Sequence, residues 1–448
     1  MTAEVRTVRT EAEKAIADNY LRLRETLPGG PLVRARREAA FAVFSRTGLP
    51  HRRIEEWKYT DLRALMRKAA PPAVRPSAEA AERAVTATPD PLAGLDRYRL
   101  VIVDGFFFEA LSDRSALLKA GVEVEPIANL LARDGEMSAA ILDSGKLAEG
   151  DIAVALNAAF AADGVGIVVR DGVALDKPLE LLHISTTAAG VTVRNSVRVG
   201  AGASLKIIET HRGPDGTAYQ TNVLTRVDVG THASVSYAKL QAEGAAALHL
   251  GSTVLKVAED SHFSHLTVTA GAAVSRSQIF LTTGGERTKV NLNGAGMLGG
   301  KQHADATLLI DHALPGANTR VLYKNVVDDE AKGVFQGKIV VEPDAQKTDA
   351  KMMSQALLIS DGAEFVAKPE LEIFADDVQC GHGATSGQID ETQLFYLMAR
   401  GIARAEAERL LIEAFLDDAI DALGDEAIGE ALKRTVTAWL EKRGTRTA

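Results

Sequence analysis

Between Gly164 and about residue 388, nearly every segment is a short β-branched run closed by Gly, Asp or Asn. GIVVRDG, PLELLHIST, VTVRNSVRVG, ASLKIIETH, NVLTRVDVG, ASVSYAKLQ and STVLKVAED succeed one another with little between them. A spacing recurs inside this zone. VGAGAS, from Val199, resembles VGTHAS, from Val229, and VAEDSH, from Val257, follows more loosely, so the starts lie 30 and 28 residues apart. A unit of that length holds two or three short strands and cannot bury its apolar face alone, so its neighbours must stack on it. One coil of a β-helix fits this, and a β-sandwich with long hairpins is the competing arrangement.

The flanks carry a different period. Ala12, Ala15, Ile16, Tyr20 and Leu23 recur at helical spacing, and residues 32–44 form a second helical stretch. Residues 71–95 are rich in Pro and Ala and read as a linker or flexible crossing. Residues 96–162 are a mixed α/β lead-in that begins with the strand-like RYRLVIVDG. From Asp390 the chain turns helical again, with Gln393 placed to complete a capping box. Leu411, Phe415, Ala419 and Leu423 then lie beside Ile412, Leu416 and Ile420 on one wide apolar face, and Ile428, Leu432, Val436 and Leu440 form another. Such faces must be buried against the body, each other or a partner. The expected organisation is 1–95 helical region and linker, 96–162 lead-in, 163–388 β core, and 389–448 helical tail.

Net charge is −9 with a pI near 5.7, unlike the basic footprint of a nucleic-acid binder. The first residues, MTAEVRTVRTEAEKA, mix both charges without an apolar stretch, which argues against a secretory leader. No run of eighteen apolar residues suggests a membrane span. Cys380 is the single cysteine, so no intramolecular disulfide can form, and a cytoplasmic, reducing setting is expected. The chain contains no G-x-x-x-x-G-K-[ST], G-x-S-x-G or H-E-x-x-H pattern. The glycine-rich GAGMLGG at 294–300 has the G-x-G-x-x-G spacing but sits among strands without the following helix that a dinucleotide site needs, and it reads as turns.

One dense polar constellation remains, DDVQCGHGAT at 376–385. In extended backbone, Cys380 and His382 point to the same side. Thiol and imidazole both suit iron or zinc, yet a lone cysteine also serves as a small buried apolar group and a lone histidine as a structural hydrogen-bonder. Asp376 or Asp377 is placed to orient the imidazole. His303 with Asp305, and Asp311 with His312, form a second polar grouping to which a structural role is assigned. Glu55–Glu56–Trp57–Lys58–Tyr59–Thr60 reads as a segment docked on the body. Iron–sulfur clusters need about four ligands, mostly thiolates. A chain with one thiol cannot enclose a cluster alone.

Several stretches are similar to the SufB/SufD family of iron–sulfur cluster assembly scaffold proteins. RIEEWKYTD at 53–61 resembles the N-terminal signature of the SufD branch. Tyr323-Lys324, GVFQGKI at 333–339, AQKT at 345–348, KPELEI at 368–373, the 376–385 constellation, GQID at 387–390, LFYL at 394–397 and Arg400-Gly401 resemble the shared core. The resemblance implies a mainly β fold, a right-handed parallel β-helix with helical regions at both ends. It implies a non-catalytic scaffold in a complex with SufB and the ATPase SufC, for which the wide apolar face of residues 411–423 makes the C-terminal helices the expected docking site. His382 would be a cluster ligand at the SufB interface and Cys380 a second one. The nascent iron–sulfur cluster would be shared with SufB rather than held stably by the isolated chain, for which a homodimer is allowed. SufB members carry a His-Glu-Ala-Thr-Thr-like run where this chain reads HGATS from His382, and a sulfur-accepting cysteine near Ala363; both departures favour SufD. Gly381 stands where serine is common. The alternatives are a SufB-like primary scaffold, a structural partner that holds the ATPase and touches no metal, and a cytosolic β-helix enzyme acting on polysaccharide.

Overall fold

The computed structural model describes residues 9–447, with side chains to residue 443. The first eight residues, part of the stretch read against a secretory leader, lie outside the described residues. Strands alternate between two sheets, one ten-stranded and one nine-stranded, and from Leu179–Ile184 onward every pairing is parallel. The result is a parallel β-solenoid of about eight turns. Val199 lies opposite Val229, and Val229 opposite Val257. The spacing legible in the sequence is therefore the register of successive coils, and the hairpin sandwich is excluded. Val197, Leu205, Val227, Leu255, Phe263 and Leu292 fill the space between the sheets, each worth about 1.5–3 kcal/mol when fully buried.

The coils turn at a repeated corner. Gly202, His232, Asp260, Arg287, Gly316 and Lys347 occupy it with φ between 51° and 73°. Each donates its N–H to a carbonyl of the next coil, from Thr231 through Asp377. A side chain in left-handed backbone costs roughly 1–2 kcal/mol, which the inter-coil hydrogen bonds offset at four non-glycine positions.

The flanks extend and correct the sequence expectations. The lead-in already belongs to the solenoid, because Tyr98–Val103 pairs in parallel with Leu179–Ile184. Residues 71–95 are no loose crossing. Ser77 caps a helix, Ala78–Ala87, whose Ala81 packs on Val101, Val103, Leu182 and Ile184. Pro71 and Ala73 bond to the backbone of Gly190. Composition marked this stretch as flexible, but its contacts come from residues a hundred positions away.

Residues 55–73 form a strap along the nine-stranded sheet. It meets Lys368, Gln336, Asp305, Arg276, Leu250, Gln220 and Gly190, one residue on each strand from the last coil back toward the first. Trp57 is buried beneath the Arg276 guanidinium, 3.9 Å from its ring centroid, and donates Nε1–H to Asp151. The docked-segment reading of residues 55–60 fits this placement.

Three tail helices follow, Glu391–Met398, Arg404–Asp421 and Glu426–Thr447, and the last two lie on the other sheet. Ile412, Leu416, Ala419, Ile420, Ile428, Leu432 and Val436 bury against Ile208, Leu240, Leu266, Val268, Met297 and Val326. The wide apolar face of residues 411–423 is thus largely consumed within the chain. Asp390 caps the first tail helix through the Thr392 N–H, and the reciprocal Gln393 bond of a capping box is not formed. No helix among the described residues is long and apolar enough to cross a membrane.

Candidate functional site at the open end of the solenoid

Cys380 and His382 lie within the last strand, Gln379–Gly387. The strand before it in sequence, Glu364–Ile373, ends the other sheet. Each has a neighbour on one side only, so one row of backbone donors and acceptors per strand faces outward, a ready template for another chain.

Register gives the direction of the side chains. Ala350 is opposite Cys380 and Met352 opposite His382, and Ala350 and Met352 both belong to the interior core. Alternation along a strand puts Cys380 and His382 on that inward face. Cys380 is half-buried against the core and His382 is exposed. Phe365, Leu371 and Val378 are the other partly buried residues that close the core at this end, while Ile373 and Phe374 are exposed nearby. The interior therefore ends in a half-covered apolar layer with one thiol and one imidazole upon it. Burial pushes the Cys380 thiol pKa up, which favours the protonated form over the ligating thiolate.

Neither aspartate orients the imidazole. Asp377 is paired with Lys347 across the corner, and its N–H donates to Gln346. Asp376 is an exposed residue of the same turn. The second polar grouping is also separated. His303 and His312 are opposite ends of one strand, about 30 Å apart at roughly 3.3 Å per residue. His303 bonds to Thr60 at 2.9 Å, and Asp305 holds Arg276. His312 is buried without a hydrogen-bond partner on either ring nitrogen. Ala363 sits in a turn, packed beside Leu298, Val327 and Ala331.

Among the described residues, a group of metal-ligand side chains comes together elsewhere, inside the solenoid: His183, Glu209 and His211. The sequence reading missed it. Its signal was the 28-residue offset from His183 to His211, a coil's length in the register that pairs them.

A parallel β-solenoid strapped by helical flanks, with a thiol and an imidazole at its unpaired end, defines the class. Two family models match nearly its whole length. Residues 182–415 match the SUF system FeS cluster assembly SufBD core domain, and residues 11–181 the SufBD protein N-terminal region. The iron–sulfur cluster assembly protein SufD of Escherichia coli is 33% identical over 89% of this chain and 90% of its own length. An iron–sulfur cluster assembly SufBD family protein of Synechocystis is 29% identical over 90% of each chain. The chloroplastic protein ABCI7 of Arabidopsis thaliana is 30% identical over 66% of this chain and 64% of its own. The chain belongs to the SufB/SufD family of iron–sulfur cluster assembly proteins.

Proposed function

We propose that the chain is a scaffold subunit without turnover of its own, which pairs with SufB through the open solenoid end and is bound by the ATPase SufC through its helical tail. The observation that carries this reading is the terminal coil. Both sheets end there with an unpaired edge, and the half-covered core presents Cys380 and His382 toward whatever closes it. A partner with the same fold can continue both ladders and bring its own thiolates. One thiol and one imidazole supply about half of the four ligands a cluster needs, so the cluster is held jointly and the isolated chain retains none stably. The same edge supports a homodimer when SufB is absent. Ala363 in place of a cysteine favours this supporting role over that of the primary scaffold. Family membership favours this reading over the polysaccharide enzyme.

The test is anaerobic reconstitution of the chain with SufB and SufC, given iron and sulfide, read by iron content and visible absorption. Cluster should form with all three chains and fall when this one is left out. Equal yield without it would overturn the scaffold reading.

For SufC, the folded tail redirects the expected contact. Because residues 411–423 already pack on the solenoid, the most exposed large apolar side chains of the tail are on the first tail helix, where Phe395 is 72% and Tyr396 56% exposed. Phe395→Asp together with Tyr396→Ala should abolish co-purification with SufC while the melting temperature of the isolated chain stays unchanged. Undiminished binding would place the contact elsewhere.

A further inference from the structure

The interior of the solenoid is not apolar throughout. Along the ten-stranded sheet, register aligns Leu181, Glu209, Lys239 and Thr267 in one inward column and His183, His211 and Gln241 in the next. Thr221, Thr225 and His249 reach the same region from the facing sheet, and all of these polar residues are buried. The His183 and His211 rings stack at 4.5 Å, and the His249 ring meets His211 edge-on at 4.7 Å. Glu209 is the centre. Its Oε1 accepts from His211 Nε2 at 2.6 Å and lies 3.2 Å from Lys239 Nζ. Its Oε2 accepts from Thr225 at 2.8 Å and from the Tyr237 hydroxyl. Burial opposes the charge on Glu209, but Lys239 and His211 outweigh it and hold its pKa well below the carboxylate range.

Three observations set this cluster apart from an ordinary satisfied network. First, one ligand atom from each of His183, Glu209 and His211 lies within 4.8 Å of the others. Second, His183 Nδ1 and His249 Nε2 are buried without a hydrogen-bond partner, an arrangement that is costly unless something else occupies the space. Third, Gly251 makes room for the ends of two of these side chains, since a Cβ there would stand 2.5 Å from Lys239 Nζ and 2.8 Å from His249 Nε2.

A path leads in. A cavity of about 10 Å³, enough for a single water-sized sphere, is lined by His183, His211, Thr221 and Glu243. It shares Gly105, Val191 and Thr221 with an open groove of about 560 Å³ beneath the helix Glu11–Leu23 and the strap.

We propose that His183, Glu209 and His211 bind a divalent transition metal of the zinc or ferrous type inside the solenoid, with His249 as a nearby further donor. Two imidazoles and a carboxylate are a donor set that such ions accept. Burial disfavours the charged form of both imidazoles. The dication takes the place beside Glu209 Oε1 that the Lys239 ammonium holds, and the His211 proton moves to the other ring nitrogen. This site is independent of the assembly role proposed above. It lies six strand steps from the last strand, on the order of 29 Å at about 4.8 Å per step.

The test uses the full chain carrying Cys380→Ser and His382→Ala, so that the donors at the open end are absent. Titration with Co²⁺, followed by visible absorption and by metal content after gel filtration, should give one ion per chain, and Zn²⁺ should raise the melting temperature. In that background, His183→Gln and His211→Asn should each weaken Co²⁺ binding at least tenfold. Lys239→Met, which removes the competing cation and keeps every donor, should tighten it. If a histidine variant does not fold, judged by circular dichroism, the other variant and Lys239→Met decide. Absence of saturable uptake, uptake undiminished in the folded histidine variants, or no gain with Lys239→Met would overturn the site.

Discussion

His382→Ala should lower the iron retained by the reconstituted complex at least tenfold, while the chain should still associate with the proposed partners and SufC should still hydrolyse ATP. The expectation rests on where the imidazole stands. It is exposed on the inward face of the last strand, and its backbone rather than its side chain makes the ladder with Met352. Removing the ring therefore takes away the proposed ligand without opening a cavity in the core. Cys380→Ser has a smaller effect, because the thiol is half-buried and burial keeps it protonated until a metal or a partner's charge draws the proton off. Iron content, visible absorption and analytical gel filtration of the complexes separate the two readouts. Parallel loss of association and iron in His382→Ala would make the residue a structural one.

Ala384→Pro separates complex formation from folding. The Gln379 N–H bonds to Thr348 within the sheet, and in a parallel strand alternate residues address opposite neighbours. The N–H groups of 380, 382, 384 and 386 therefore point to the open side. Proline at 384 deletes one outward donor and leaves the existing ladder in place, a position where proline is tolerated. Association with SufB should weaken at least tenfold, measured by sedimentation, and cluster yield should fall with it. The circular dichroism spectrum and melting temperature of the free chain should hold. Unweakened association would show that the partner docks away from this edge.

What the sequence disclosed depended on range. The 30- and 28-residue spacing from Val199 is a local pattern that became a register, and the pairing of Cys380 with His382 on one side followed from strand alternation alone. Helical periodicity announced that residues 411–423 carry an apolar face, but periodicity says nothing of what covers it. The answer was a sheet built from residues 208 to 326. Pro71 and its neighbours read as loose because their composition is that of linkers, whereas their order comes from main-chain bonds to Gly190. His183, Glu209 and His211 were invisible for the same reason. Nothing local links residue 183 to residue 209 until the coil length is known.

The two straps bear on how the molecule comes apart. A bare solenoid is a one-dimensional stack in which each coil contacts only its neighbours, so it can fray from an exposed end one coil at a time. Here residues 55–73 are fastened to seven successive strands of one sheet, and the tail helices cover five strands of the other. Peeling away the terminal coil means breaking Lys368 from Glu55 and drawing on the tail that leaves the last strand directly. Fraying thus becomes coupled to detachment along both flanks, which converts a zipper into an all-or-none transition and keeps the unpaired edge ordered.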